Sequence, residues 1–324
     1  MNAAAWPRED PLRERLLHID RAGGAPRDLR MDDLPRLVGP GDLLVVNDAA
    51  TLPASFRFPG GELRLAQRLP DGTWLAVTFG PGDWRTRTED RPPPPPVAAG
   101  DRLPLGPDLV AEVLEVRRPR LVRIAFDKTG AALWRALYRL GRPVQYAHVA
   151  GPLELWHVQT GFAARPWAVE EPSAGRPLTA GLLDALRRRG AEIGAVTHAA
   201  GLSSTGDAEL DALLPLPEAY EVPTATAAAL ERAGRVLAVG TTVVRALESY
   251  AATGARAGMT DLLVDGRHRL RAVHGVLTGT HEPGTSHFRL LEAFAPRATL
   301  LAAHAHAVAA GYLAHEFGDS VLIV

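Results

Sequence analysis

Short apolar runs and helical repeats alternate along the second half of the chain. Apolar residues recur at helical spacing in LTAGLLDALRRRG, TATAAALERAG and TTVVRALESYAATG, whereas AEIGAVTHA and RVLAVG are short apolar runs typical of buried strands. Such alternation predicts a parallel sheet covered by helices. A short helix near Met31 to Val38 and a strand from Asp42 to Val46 are predicted to begin the same α/β domain.

The segment between these two regions has a different pattern. ELRLAQRL, TWLAVTF, LVAEVLEV and RLVRIAF are short alternating segments separated by turns of Gly, Pro and Asp, which predicts an antiparallel barrel or sandwich. A helix over AALWRALYRLG then ends at Gly141. We therefore expect an α/β domain with a mostly parallel sheet, residues 1–52 and 148–324, plus an inserted antiparallel β-barrel domain with a helical exit, residues 53–147.

Composition excludes several kinds of chemistry. The chain has 324 residues and no cysteine, which rules out disulfides, thiolate nucleophiles and Cys-ligated metal sites. Lys128 is the only lysine, and its surroundings do not follow the phosphate-loop pattern. The net charge of −1 argues against a general nucleic-acid coat protein but leaves room for a local basic patch.

The beginning of the chain carries charges where a signal sequence needs an apolar core, and no apolar run reaches about 20 residues. We therefore expect a cytoplasmic protein without a membrane partner. His304 and His306 are two residues apart and would not share a helix face, and no HExxH spacing occurs. No metal is expected.

Polar residues gather at the predicted strand ends, where ligands of open α/β sheets bind. The candidates are Asn47, Asp48, Gln159, Thr160, Glu170, Glu171, His198, Thr241, Thr242 and His281. Each has a structural alternative: Asp48 can cap a turn, and a lone histidine such as His198 is more often a buried structural residue.

The stretch RVLAVGTTVVRALESYAATG combines several of these signals. A buried strand ends at Gly240, Thr241 and Thr242 are suitable N-cap residues, and a helix follows until Gly254. Backbone N–H groups at such a helix start favour polar or anionic ligands. Arg245 and Glu248 follow at i and i+3, so they can contribute to a ligand site or simply pair with each other.

The order of these segments resembles the S-adenosylmethionine:tRNA ribosyltransferase-isomerases of the queuosine pathway. The resemblance covers nearly the whole chain and is carried by DDLPRLVGPGDLLVVND followed by LPA, and then by VQTGFA, EPSAG, RRRGAEIGAVTHAAGL, AYEVP, RVLAVGTTVVRALES, TDLLV, VLTGTHEPGTS and FGDSVLIV. It implies an α/β domain with an inserted antiparallel barrel, S-adenosylmethionine as a substrate and tRNA as a partner.

The implied reaction transfers the ribosyl part of S-adenosylmethionine to the aminomethyl group of a 7-deazaguanine base, giving epoxyqueuosine and releasing adenine and methionine. A sulfonium acidifies the adjacent C5′ hydrogens, so a positioned base can start the rearrangement. The resemblance implies Asp48, Glu171 and His281 as acid/base or sulfonium-facing groups. It implies ligand roles for Asn47, Thr241, Thr242, Arg245 and Glu248.

The chain departs from the family pattern at several matching positions. Ala49 and Ala50 follow Asp48 where the family has a threonine and an arginine, Pro177 replaces a histidine, and a lysine is lost after His281. These changes remove charge and acid/base groups while the glycines and apolar strands remain. Two further hypotheses follow: a divergent enzyme that uses S-adenosylmethionine or a related nucleoside on a different acceptor, and a non-catalytic nucleoside- or RNA-binding protein.

Overall fold

The computed structural model describes residues 1–324 and contains nineteen strands. They are β1 Asn2–Ala3, β2 Arg15–Ile19, β3 Arg27–Arg30, β4 Asp42–Asn47, β5 Ala49–Thr51, β6 Ser55–Phe58, β7 Gly61–Arg68, β8 Trp74–Phe79, β9 Arg102–Gly106, β10 Leu109–Arg118, β11 Leu121–Phe126, β12 Arg165–Ala168, β13 Glu192–His198, β14 Glu218–Glu221, β15 Arg235–Val239, β16 Ala257–Thr260, β17 Gly275–Gly279, β18 Leu313–Ala314 and β19 Ser320–Ile323.

Seven α-helices accompany the strands, and five short 3-10 helices lie between them. The α-helices are α1 Gly130–Leu140, α2 Ala180–Arg188, α3 Ala208–Asp211, α4 Thr224–Arg232, α5 Thr241–Thr253, α6 Ser286–Leu291 and α7 Arg297–Ala309. The 3-10 helices are Pro11–Arg13, Met31–Arg36, Thr88–Asp90, Leu155–Val158 and Ser173–Gly175. None of the helices combines the length and the apolar character that crossing a membrane requires.

The larger sheet is mixed, not mostly parallel. Its nine strands follow the order β16-β14-β13-β4-β15-β17-β19-β2-β3. Only the central strands β13, β4, β15 and β17 form a continuous parallel set, and β19 is parallel to β2. The flanking pairings are antiparallel. Two parallel strands need a crossover connection of about a dozen residues or more. The connection between β13 and β14 contains only the four-residue helix α3, and the loop between β2 and β3 is shorter still, so both pairs are antiparallel.

The central strands are hydrophobic on both faces, because helices cover both sides of the sheet. In β4, Leu43 and Val45 belong to the core cluster that includes residues of α4, α5 and α7, whereas Leu44 and Val46 face the cluster that includes α2. Each such side chain contributes about 1.5–3 kcal/mol by burial. The strands that come before Met31 were missed by the sequence reasoning, since the charged residues around Leu16 and Leu17 hide their burial.

The second large sheet is a six-stranded antiparallel barrel with the strand order β6-β7-β8-β11-β10-β9. The end strands β6 and β9 lie against each other without pairing, so the barrel is nearly closed. Alternation in β10 follows the predicted pattern, with Leu109, Ala111 and Val113 facing a core that also contains Trp74 and Phe79. The predicted helix after the barrel is α1, and it packs on the same core through Ala136 and Leu137.

Candidate active site

A cleft of about 990 Å³ opens at the carboxyl ends of β15 and β17. On the sheet side it is lined by Gly240 to Thr242 and by Thr278 to Glu282. Opposite these residues, Arg87 to Glu89 come from the connection between barrel strands β8 and β9, and Val144, Tyr146, Ala147 and His148 follow α1. The cleft therefore lies between the parallel strands and the barrel, where a ligand can contact both.

The start of α5 forms one wall of this cleft. Gly240 is the N-cap residue, with φ at +91°, and no side chain caps the helix. The first-turn N–H groups of α5 therefore have no intrahelical partner and lie beside the cleft. The hypothesis that Thr241 or Thr242 is the N-cap was wrong, because the left-handed conformation at Gly240 starts the helix one residue earlier. The helix ends at Gly254 as predicted, with φ at +72°.

Glu171 is the one carboxylate of the cleft with a buried oxygen that has no hydrogen-bond partner. Its side chain is 3% exposed, Oε2 accepts from Arg176, and Oε1 has no partner in the protein. Burial raises the pKa of Glu171 to about 7, against the opposing charge of Arg176. A group with this pKa can accept or donate a proton near neutral pH.

Glu170 and Glu218 are the other buried carboxylates of the cleft. Glu170 Oε1 accepts from the hydroxyl of Tyr146 and, at 2.9 Å, from the N–H of Ser203. Glu218 accepts from Arg245 and, at 2.6 Å, from the N–H of Gly201. Burial raises the pKa of both glutamates, and the hydrogen bonds to Glu170 and the charge of Arg245 beside Glu218 oppose the rise.

Four of the eleven histidines line the cleft: His148, His281, His287 and His315. His281 Nε2 lies 2.9 Å from the hydroxyl of Thr278, and its ring stacks on His287 with centroids 4.9 Å apart. Burial lowers the pKa of His281 well below its ordinary value, and the neighbouring His287 and His315 lower it further. This direction of the pKa shift favours the neutral ring, which can accept a hydrogen bond through one nitrogen and donate one through the other.

Comparison with known proteins identifies the family. A model described as "Queuosine biosynthesis protein" matches residues 2–323. The chain belongs to this family. It is 35% identical to the S-adenosylmethionine:tRNA ribosyltransferase-isomerase of Sorangium cellulosum, over 99% of this chain and 94% of the relative, and 34% identical to that of a Methylobacterium strain, over 95% and 91%.

The fold also matches a solved member of the family. The crystal structure of S-adenosylmethionine tRNA ribosyltransferase from Thermotoga maritima superposes with a TM-score of 0.55 at 24% identity, covering 99% of this chain and 96% of that one. The family model and the two relatives confirm the resemblance stated from the sequence, and the superposition shows that the fold is shared.

Of the site residues that the resemblance implies, the structure brings five to the cleft, namely Glu171, His281, Thr241, Thr242 and Arg245, and the strand-end candidate Glu170 also lines it. Asp48 lies outside the cleft lining, where it accepts from the hydroxyl of Thr197 at 2.5 Å. Asn47 is buried behind the cleft and bridges the ends of β4 and β13 through the backbone of His198. Its side-chain N–H also approaches the hydroxyl of Thr242 at 3.4 Å, so Asn47 can position that threonine.

Arg245 and Glu248 do not pair with each other, although their spacing allows it. Arg245 donates to Glu218 and, at 2.9 Å, to the backbone oxygen of Leu262. Glu248 is completely buried outside the cleft lining, where it accepts from three consecutive backbone N–H groups at Arg271, Ala272 and Val273. Each residue of the pair thus anchors a different neighbouring segment to α5.

Sequence reasoning assigned no site role to Tyr146, His148, Glu218, His287, His315 and Glu316, all of which line the cleft. None of them stands at the end of a parallel strand. Tyr146 and His148 follow the helical exit of the barrel, and His315 and Glu316 precede the last strand. The one available signal was the pair of polar residues in HEFGDS, directly before an apolar strand.

Proposed function

We propose that this chain is an S-adenosylmethionine:tRNA ribosyltransferase-isomerase that acts in the cleft between the barrel and the parallel strands. The observation that carries the proposal is Glu171, a buried carboxylate with a pKa of about 7 and an unpartnered oxygen beside that cleft. Removal of a proton next to a sulfonium needs such a base in a site shielded from water. The proposed substrates are S-adenosylmethionine and a tRNA that carries the aminomethyl-deazaguanine base.

The proposed roles follow the order of the cleft wall. Glu171 accepts the proton, and neutral His281 holds a hydrogen-bonding group of the substrate next to Thr278. The first-turn N–H groups of α5, with Thr241 and Thr242, receive the carboxylate or ribose oxygens of S-adenosylmethionine. Arg245 contributes through Glu218, which it holds at the cleft. Asp48, Asn47 and Glu248 act as positioning residues at most, because their side chains bond within the protein outside the cleft lining.

We also propose that the barrel is a domain inserted into the α/β domain, with boundaries at 53–147. The support is that all strands of the barrel and α1 lie within these residues, whereas the nine-stranded sheet uses strands only from 15–47 and 192–323. A cytoplasmic location accompanies the proposed tRNA substrate.

Adenine release tests the proposal. The protein is incubated with S-adenosylmethionine and tRNA bearing the aminomethyl base, and free adenine and modified tRNA are measured by chromatography and mass spectrometry. Glu171→Gln is expected to lower the rate of adenine release about 10²–10⁴-fold. Asp48→Asn is the matched comparison, and it should lower the rate by less than about tenfold, because Asp48 bonds to Thr197 outside the cleft lining.

Three results would each overturn a different part of the proposal. Saturable binding of S-adenosylmethionine without adenine release would identify a non-catalytic nucleoside-binding protein. Adenine release without modification of tRNA would keep the cleft chemistry and reject the acceptor. A normal rate in Glu171→Gln would reject Glu171 as the base while leaving the overall reaction in place.

A further inference from the structure

His148, His315 and Glu316 form a cluster at the cleft that the proposed reaction does not use. One ligating atom from each side chain lies within 4.8 Å of the other two. His148 Nε2 is 2.9 Å from Glu316 Oε2, and the His315 ring stacks on His148 with centroids 4.2 Å apart. Residues 168 positions apart in sequence are thus brought together by the loop after α1 and the loop between β18 and β19.

This cluster differs from the other pairs of histidine and carboxylate in the chain. His306 also lies 2.9 Å from a carboxylate, that of Asp28, and His268 lies 3.1 Å from Glu248. Neither pair has a third ligating side chain near it, and the cluster at the cleft is the only group of three His, Asp or Glu side chains in the protein with this geometry. A simple ion pair between His148 and Glu316 leaves the role of His315 unexplained.

Two imidazoles and one carboxylate are a donor set that suits divalent transition metals. The same set, with further positions left open for water or substrate, occurs in catalytic zinc sites. His148 Nε2 and Glu316 Oε2 lie 2.9 Å apart in a direct hydrogen bond. Two tetrahedral ligands about 2.1 Å from one ion lie about 3.4 Å apart, so an ion would replace this hydrogen bond after the two atoms separate by about half an ångström. All three side chains line the cleft, so open positions on the ion would face the cleft volume.

The backbone at His315 also favours a specific use of its ring. His315 has φ at +68°, one of only two non-glycine residues in the left-handed region, and its carbonyl accepts from the N–H of Gly318 at 2.9 Å. A residue with a Cβ is disfavoured in this conformation relative to glycine. A glycine at position 315 would relieve this strain, but it would remove the imidazole that stacks on His148.

From this geometry we propose that His148, His315 and Glu316 bind one divalent transition metal ion, such as Zn²⁺, at the cleft. The inference goes beyond the proposed function and does not depend on it. The ion would be held by protein ligands on one side and would be accessible from the cleft on the other, where it can bind an anionic or hydroxyl oxygen of a ligand.

Metal binding is measured on the full-length protein after treatment with a chelator. Co²⁺ is titrated and followed by visible absorption, and Zn²⁺ is then added as a competitor and followed by calorimetry. The expected result is one equivalent of Co²⁺ with ligand-field bands of a nitrogen and oxygen site, displaced by Zn²⁺. In His148→Ala and in Glu316→Gln the dissociation constant for Co²⁺ should rise at least tenfold, because each variant lacks one metal ligand.

Two further variants separate metal binding from folding. His315→Gly removes the ring and relieves the left-handed backbone, so it should fold at least as stably as the parent and still lose the tight site. His306→Ala removes a histidine from a matched pair outside the cleft and should leave binding unchanged. The proposal is overturned if no saturable binding occurs, or if His315→Gly binds Co²⁺ like the parent. Equal weakening by His306→Ala would also reject it. None of these readouts requires turnover, so they are independent of the assay for adenine release.

Discussion

Glu62 in the barrel and Glu171 in the cleft are both buried carboxylates beside arginine, and their surroundings shift the pKa in opposite directions. Glu62 accepts from Arg64 at 2.6 Å, from Arg91 and from the hydroxyl of Ser55, and its pKa falls to about 2 because these charges outweigh burial. Glu171 has Arg176 alone and one free oxygen, and burial raises its pKa to about 7. The number of hydrogen-bond donors around each carboxylate therefore decides whether its pKa falls or rises.

This difference separates a structural carboxylate from a chemical one. Glu62 joins two arginines inside the barrel, and each of its oxygens is bonded, so its charge is fixed. Glu171 Oε1 has no hydrogen-bond donor within the protein, and Glu171 lines the cleft, where a ligand can supply that hydrogen bond. Perturbed carboxylates concentrate at functional sites for this reason, although ion-pair networks such as that of Glu62 also perturb pKa values.

The strongest test of the comparison is Glu62→Gln. The substitution leaves Arg64 and Arg91 buried without their anion, so the free energy of unfolding at pH 7 should fall by about 3–5 kcal/mol. Equilibrium denaturation measures it. Because the folded-state pKa is depressed, the stability from Glu62 is present above pH 4.5 and is lost as the pH falls toward about 2. The variant should lack this acid-dependent loss.

Glu115→Gln on barrel strand β10 is the control for this test. Glu115 is half exposed and approaches Arg117 at 3.3 Å on the surface, so its loss should cost less than about 1 kcal/mol. A similarly small effect for Glu62→Gln would show that the buried network contributes no net stability, and the contrast between barrel and cleft would fail.

The second test is the pH dependence of stability in Glu171→Gln. A carboxyl whose pKa is raised to about 7 binds a proton more tightly in the folded state. The contribution of Glu171 to the free energy of unfolding is therefore greatest below pH 4.5 and declines as the pH rises through about 7. The decline due to Glu171 should reach about 3 kcal/mol at most. In Glu171→Gln this component of the slope should vanish between pH 4.5 and 7.

Glu14 must be considered in the same experiment. It is another buried carboxyl, outside the cleft, and burial raises its pKa to about 8 despite a hydrogen bond from Ser320. The double variant Glu14→Gln and Glu171→Gln should therefore have a flatter stability profile than either single variant. If the profile of Glu171→Gln matches that of the parent, the pKa of Glu171 is not raised and its assignment as the base loses its support.

The third test concerns Glu248, a carboxylate that is satisfied by backbone N–H groups rather than by arginine. Glu248→Gln replaces an acceptor with an amide donor beside Ala272 and Val273, so about 1–3 kcal/mol of stability should be lost. Glu231→Gln on the exposed face of α4 is the control and should change stability by less than about 0.5 kcal/mol. Equal changes in stability for the two variants would mean that the hydrogen bonds between Glu248 and the backbone of residues 271–273 are not needed for folding.

The sequence predicted those parts of the fold and site that depend on local pattern. RVLAVG and DLLVV form buried strands because their apolar residues face helices on both sides, and Gly240 was recognised as a turn at a strand end. The direction of the flanking strands could not be predicted, since it depends on which element covers which edge. His148 and Glu316 could not be paired either, because loops far apart in the chain bring them together.

The smallest effect is expected at Gly240, and it tests whether the cleft wall depends on the helix start. Gly240→Ala puts a Cβ at φ +91°, 3.4 Å from the Cβ of Ala174, so about 1–2 kcal/mol should be lost. Gly181→Ala in α2 is the matched control, because the added Cβ meets open space and φ is not positive, and it should be neutral or slightly stabilising. If Gly240→Ala changes stability by this amount and also weakens binding of S-adenosylmethionine, the conformation of Gly240 sets the position of the N–H groups at the cleft. Unchanged binding in a destabilised Gly240→Ala would place the ligand away from α5 and would leave Glu171 as the cleft feature on which the proposed chemistry depends.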